Sequence, residues 1–131
     1  MNRRQERETV FCLLFEKCFS EDNPSDILNT AKDSREFDSS EYIEDVFFGV
    51  CSKNSEIDKI IIENLNNWTI ERISKVALTI LRLSIYEILY VKTIPVSVSV
   101  NEAVELAKKY SLETDASFIN GVLSSVIKKL R

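Results

Sequence analysis

The chain has 131 residues, 44% hydrophobic and 29% charged, with a formal net charge of −4 and no histidine. That length is one domain's worth and can bury a core without disulfides or metal, while the missing histidine excludes a His-based general base or triad and a mixed Cys/His zinc site. Two glycines cannot make a phosphate-cradling loop, and a net negative charge argues against a nucleic-acid binder held mainly by phosphate attraction.

The distribution of charge matters more than its total. From Glu21 to Asp58 the segment carries −8, leaving +4 on the remainder, with clusters at Arg3, Arg4 and Arg7 and at Lys128, Lys129 and Arg131. A molecule polarised in this way can bind an anion at one end. Cys12, Cys18 and Cys51 are odd in number and lack CxxC spacing, so they read as reduced, buried thiols of a cytoplasmic protein. The amino terminus lacks the pattern of a signal peptide. The longest apolar stretch, around Val76 to Val91, is broken by Arg82 and Glu87 and is too short to span a bilayer.

In chain order, Val10, Phe11, Leu13, Leu14, Cys18 and Phe19 recur at helical spacing, which predicts a helix from about Arg3 to Phe19. Glu21-Asp22-Asn23-Pro24 breaks it, and Pro24 or Ser25 opens a short helix through Ile27, Leu28 and Ala31. Asp33 to Ser40 reads as a loop. Ser39 or Ser40 caps the next helix, whose stripe is Tyr42, Ile43, Val46, Phe47 and Val50, and a bend near Asn54 precedes a further helical run to Trp68.

Ile70 to Val91 is apolar around nearly its whole circumference, as a central helix must be. Burying Arg82 and Glu87 there is costly unless each is partnered, which predicts a hydrogen-bonded network with the following helix, through Asn101 or Glu102. Val96, Val98 and Val100 alternate with Ser97 and Ser99, which by period alone is a strand. A lone strand has nothing to pair with, so we assign a helix capped by Ser97 or Ser99. Ser111 to Thr114 is the last loop, and a helix from about Asp115 to Leu130 follows. The expected fold is all-α, about seven helices in two packed helical subdomains, about 1–67 and 68–131, of a single domain. Glu102 and Glu105, at helical spacing, read as a solvated or capping acidic face; we expect no enzyme activity, no metal and no cofactor.

An ordered set of motifs runs along the chain: Arg3-Arg4 and Arg7-Glu8, Trp68 with Arg72, Leu81-Arg82, Tyr86-Glu87, Ile94-Pro95, Asn101-Glu102-Ala103 and Phe118-Ile119-Asn120-Gly121-Val122-Leu123. In sequence and spacing this set resembles the transcription antitermination factor NusB family. The resemblance implies an all-helical protein that binds a short single-stranded boxA-type RNA leader together with NusE, a small-subunit ribosomal protein. That pair joins other Nus factors on RNA polymerase and favours complete transcription of ribosomal RNA operons.

It further implies that Arg3, Arg4 and Arg7 contact phosphates or stack on bases, the other reading being solubilising charge at a fraying terminus. Phe15 stands where the family uses an aromatic near RNA, or is core. Phe118, with Thr114 and Ser117 beside it, stands at the RNA face, or packs inward. Gly121 is expected to allow close helix approach. Gln5 and Glu6 interrupt the basic run where relatives carry denser positive charge, so the isolated chain should bind weakly and the ribosomal protein should supply the missing contacts. Two rival classes are a helical interaction module or homodimer that covers Arg3, Arg4 and Phe15, and an RNA-modifying enzyme. Ribosomal-RNA cytosine methyltransferases carry a similar helical domain at their amino end, but a chain ending at Arg131 leaves no room for a methyl-donor fold.

Overall fold

A computed structural model describes residues 1–66 and 68–130; the expected basic contribution of Arg131 lies outside them. Seven α-helices, and no strand among the described residues, follow in order: α1 (Arg3–Lys17), α2 (Pro24–Arg35), α3 (Glu41–Ser52), α4 (Asn54–Glu63), α5 (Lys75–Tyr90), α6 (Val96–Tyr110) and α7 (Glu113–Lys129). A single 3₁₀ turn, Ile70–Arg72, precedes α5.

Local chemistry sets most of the helix starts. Asn2 caps α1 by accepting from the Gln5 amide at 2.8 Å, while the Gln5 side chain accepts from the Asn2 amide at 2.9 Å, a reciprocal box that satisfies two amides. Asn23 accepts from the Asp26 amide and Pro24 opens α2. Ser40 caps α3 and Ser74 caps α5. The second helix runs to Arg35, longer than expected, and stops where Glu36 takes a left-handed conformation with φ of 50°. The run expected to reach Trp68 ends at Glu63, and α5 starts only at Lys75 because the chain first turns through Ile70–Arg72. Val96 to Val100 is helical, as assigned against its period, yet neither Ser97 nor Ser99 is the cap. Pro95 holds that position without a side-chain bond, and Ser99 is buried inside the helix.

Helix α5 packs against α1, α3, α4, α6 and α7, which is why its Ile80, Leu81, Leu83 and Ile85 are fully buried. Removing each such side chain from water is worth roughly 1.5–3 kcal/mol, so the apolar circumference of this helix is the main organiser of the core. The remaining strong contacts join α1 to α2 and α3, and α6 to α7.

Close helix approach falls to a glycine other than the expected one. A Cβ at Gly121 would meet no heavy atom within 4 Å, so close helix approach is not what this residue provides. Gly49 on α3 does provide it: a Cβ there would lie 2.2 Å from Tyr86 Oη and 2.3 Å from Tyr86 Cζ. The buried Tyr86 ring also packs against Tyr90 at 5.1 Å and its hydroxyl donates to Asp45 at 3.2 Å, so it has little room to move. Gly49→Ala is therefore expected to destabilise by at least about 1 kcal/mol in urea denaturation, despite alanine's better helix propensity, and Tyr86→Leu in the same chain should recover most of the loss. A neutral or stabilising Gly49→Ala would refute the contact.

Candidate nucleic-acid interface

The three amino-terminal arginines share one helix end but not one fate. Arg7 is buried, with its side chain 5% exposed, and its Nε donates to Glu87 at 2.7 Å while Nη2 donates to the other carboxylate oxygen at 3.2 Å. Burial opposes its charge, but the bond and charge of Glu87 outweigh that and hold the guanidinium protonated. The expectation that Arg7 contacts RNA is thereby corrected: its fork is spent inside the core.

Glu87 also accepts from the Tyr42 hydroxyl and from Ser99 Oγ at 2.8 Å. Burial first, and the Glu87 charge second, push the Tyr42 hydroxyl well above its usual range, which keeps it a donor. The network joins α1, α3, α5 and α6 rather than α5 and α6 alone. The partner from the following helix is Ser99, not Asn101, which is exposed. Glu102 joins only at the edge, 4.0 Å from Arg7 Nη1. Arg82 belongs to a separate pair, with Nε and Nη2 donating to Asp58 on α4 at 2.8 and 2.9 Å.

Arg3 and Arg4 are the arginines at the surface. Arg4 grips Glu102 with Nε and Nη2 at 2.9–3.2 Å while its side chain stays 64% exposed. Arg3 lies 4.4 Å over the Tyr42 ring and 3.3 Å from Glu6. Lys109 donates to Glu8 at 2.6 Å, and this bond, with a second from Tyr110, holds the Glu8 carboxyl below its ordinary value. The cationic end of α1 is thus largely neutralised by carboxylates of α1, α5 and α6.

From there an open groove of about 790 Å³ runs beside α1, lined by Phe11, Phe15, Arg35, Tyr110 and Val76 among others. Phe15 is half-buried, stacked on Phe11 at 6.2 Å and edge-on to Phe19 at 5.1 Å, so it is both packed and accessible. Ala77, next to Val76, lines a second hollow of about 240 Å³ with Trp68, Arg72, Thr114 and Phe118. Trp68 is 52% exposed and its ring lies 5.8 Å from that of half-buried Phe118. Thr114 and Ser117 are exposed on the first turns of α7, which begins before the expected loop ends. Sequence reasoning did not place Trp68, Arg72 and Tyr110 at this surface. Trp68 read instead as the end of the fourth helical stripe, which hid its exposure.

Two surfaces thus border the first turn of α5: an aromatic groove along α1, and a tryptophan–phenylalanine pair beside an arginine. Fold and surface together define an all-helical binding domain. The NusB family profile matches residues 4–128, and the chain belongs to the NusB family. It is 44% identical over 132 residues to the transcription antitermination protein NusB of Clostridium novyi (strain NT), covering 98% of this chain and 99% of that protein. Among solved structures, T. maritima NusB superposes with a TM-score of 0.86 at 32% identity, over 98% of this chain and 92% of that one. A crystal structure of antitermination factors NusB and NusE in complex with double-stranded RNA gives a TM-score of 0.86 at 28% identity, over 98% of this chain and 99% of that one.

Proposed function

We propose that the chain is a transcription antitermination factor that binds boxA-type single-stranded leader RNA together with the ribosomal protein NusE. In the cytoplasm this pair acts with other Nus factors on RNA polymerase to promote complete transcription of ribosomal RNA operons. The observation that carries the RNA reading is the open aromatic groove along α1, which shares Glu8 with the hollow lined by Arg4, together with the exposed Trp68–Phe118 pair beside Arg72. Guanidinium forks suit phosphates, and exposed rings suit unstacked bases. The related NusB and NusE structure contains double-stranded RNA, which supports RNA and NusE as partners. The single-stranded preference rests on the exposed aromatics, since a duplex offers them no base faces.

With Arg7 removed from the contact set, Arg3 and Arg4 alone imply a salt slope of about −1.4, from roughly −0.7 per neutralised phosphate on a single strand. Useful affinity then needs the ribosomal protein. Fluorescence anisotropy of a boxA-type RNA, a scrambled strand and a duplex tests this, with the chain alone and with equimolar NusE-type protein. Selective binding of the single strand that tightens with the partner is expected; no selective binding in either condition would end the reading. In the same assay Glu102→Gln should tighten binding severalfold, because RNA phosphate no longer competes with Glu102 for Arg4; equal or weaker binding would show that the pair does not mask the site.

A second reading, a helical interaction module that self-associates, is favoured by Phe19, which is 67% exposed at the end of the Phe11–Phe15 row. Light scattering with and without RNA separates the two, since a dimer covering Arg3, Arg4 and Phe15 would dissociate as RNA binds.

A further inference from the structure

Helices α1 and α3 run parallel: Arg3 lies over Tyr42 at their amino ends, and the carboxyl ends bring Cys18, which follows the last turn of α1, toward Cys51 in the last turn of α3. Both thiols line one cavity of about 200 Å³, together with Lys17, Thr79 and Arg82. Both are free and half-buried, so neither is sealed in the core as the sequence had suggested. Asp58 holds two nitrogens of the Arg82 fork, which leaves Nη1 facing Cys18 Sγ at 3.8 Å, and Thr79 Oγ1 lies 3.6 Å from the same sulfur. Arg82 is thus fixed beside a sulfur that the cavity leaves reachable. Burial pushes the Cys51 thiol up, against the pull of Lys17 and Arg82. Cys12 lines the groove beside α1 instead.

We propose that Cys18 and Cys51 form a peroxide-oxidisable pair that closes as a disulfide between α1 and α3. Cys18, as thiolate, attacks one oxygen of hydrogen peroxide; the S–O bond forms, the O–O bond breaks, and hydroxide leaves and is protonated to water. The Cys51 sulfur then attacks the Cys18 sulfenic sulfur. The S–S bond forms, the S–O bond breaks, and the departing hydroxide takes the Cys51 proton and leaves as a second water. Two thiols lose two electrons and one peroxide is reduced to two waters. The product staples the carboxyl end of α1 to α3 and closes the loop that contains α2.

The test is peroxide titration of the full chain, with non-reducing digestion and mass mapping, beside Cys18→Ser, Cys51→Ser and Cys12→Ser variants whose folding is checked by circular dichroism. The expected result is a Cys18–Cys51 linked peptide that survives Cys12→Ser, with Cys12 still open to alkylation. Cys51→Ser should leave a dimedone-reactive Cys18, and Cys18→Ser should leave Cys51 a thiol at the same dose. Oxidation first at Cys12, only intermolecular disulfides, or a Cys18 sulfenic acid that persists in the unmodified chain would each overturn the pair. The readout is independent of RNA binding.

Discussion

Arg7→Ala will destabilise the folded chain by about 3–5 kcal/mol, the usual result of leaving one member of a buried ion pair without its partner. The Glu87 side chain is 1% exposed and would keep only the Tyr42 and Ser99 hydroxyls, two neutral donors, against a full negative charge. A domain of this size has roughly 5–15 kcal/mol of stability in total, so this one change takes a large share of it. Urea denaturation measures the effect directly. Adding Glu87→Gln to Arg7→Met provides the decisive comparison. Glutamine keeps a carbonyl oxygen to accept from one of the Tyr42 and Ser99 hydroxyls and donates its amide to the other, no charge is left buried, and the pair should be distinctly more stable than Arg7→Ala. If Arg7→Ala costs under about 1 kcal/mol, the four-helix network does not do what its geometry implies. The same result bears on RNA work, because lost binding in an Arg7 variant reports unfolding, whereas Arg3 and Arg4 variants report the surface.

Much of this was legible in the sequence, and the failures have physical causes. The seven helices follow from stripes at period 3.6 and, for α2 and α3, from Pro24 and Ser40 at their starts, since caps and stripes are local; the Ser74 cap of α5 lies inside the run that the apolar pattern starts at Ile70. The Val96–Val100 segment was recoverable only by asking what a strand could pair with. Its Ser99 acts through Glu87, on the preceding helix, which no local pattern shows. Arg7 was misassigned because it was read with Arg3 and Arg4 as a charge cluster. Its phase says otherwise: it stands three, four and seven residues before Val10, Phe11 and Leu14, on the buried stripe of α1. Gly121 likewise lies off the buried Ile119–Val122–Leu123–Val126 face, so its exposure was readable. The Gly49–Tyr86 contact was not, because it joins positions far apart in sequence. The partner of Arg82 was sought on the following helix, and the structure supplies it from α4 through Asp58. In both cases tertiary packing, which a local period does not encode, chose the partner.

Phe118→Ala will weaken boxA-type RNA binding by about 1–3 kcal/mol for each base that stacks there, roughly 5- to 150-fold for one base. Trp68→Ala should act in the same direction, because the two rings share one hollow and Trp68 is the more exposed of them. Stacking and phosphate contact are separable by salt. Losing a base stack moves the whole binding isotherm and leaves its dependence on salt nearly unchanged. Losing Arg3 and Arg4 flattens that dependence by about 1.4 in slope. Phe118 also touches the core, so denaturation of the same variant must show that the fold is retained at the assay temperature. If Phe118→Ala and Trp68→Ala leave affinity unchanged while Arg3→Ala and Arg4→Ala reduce it, RNA follows the α1 groove alone. The aromatic pair is then packing that closes the turn before α5. If the aromatic variants lose affinity at constant slope, the path runs from the arginine end of α1 across the first turn of α5 to the start of α7. The weak charge of this chain is then offset by base stacking, a contribution that salt does not screen.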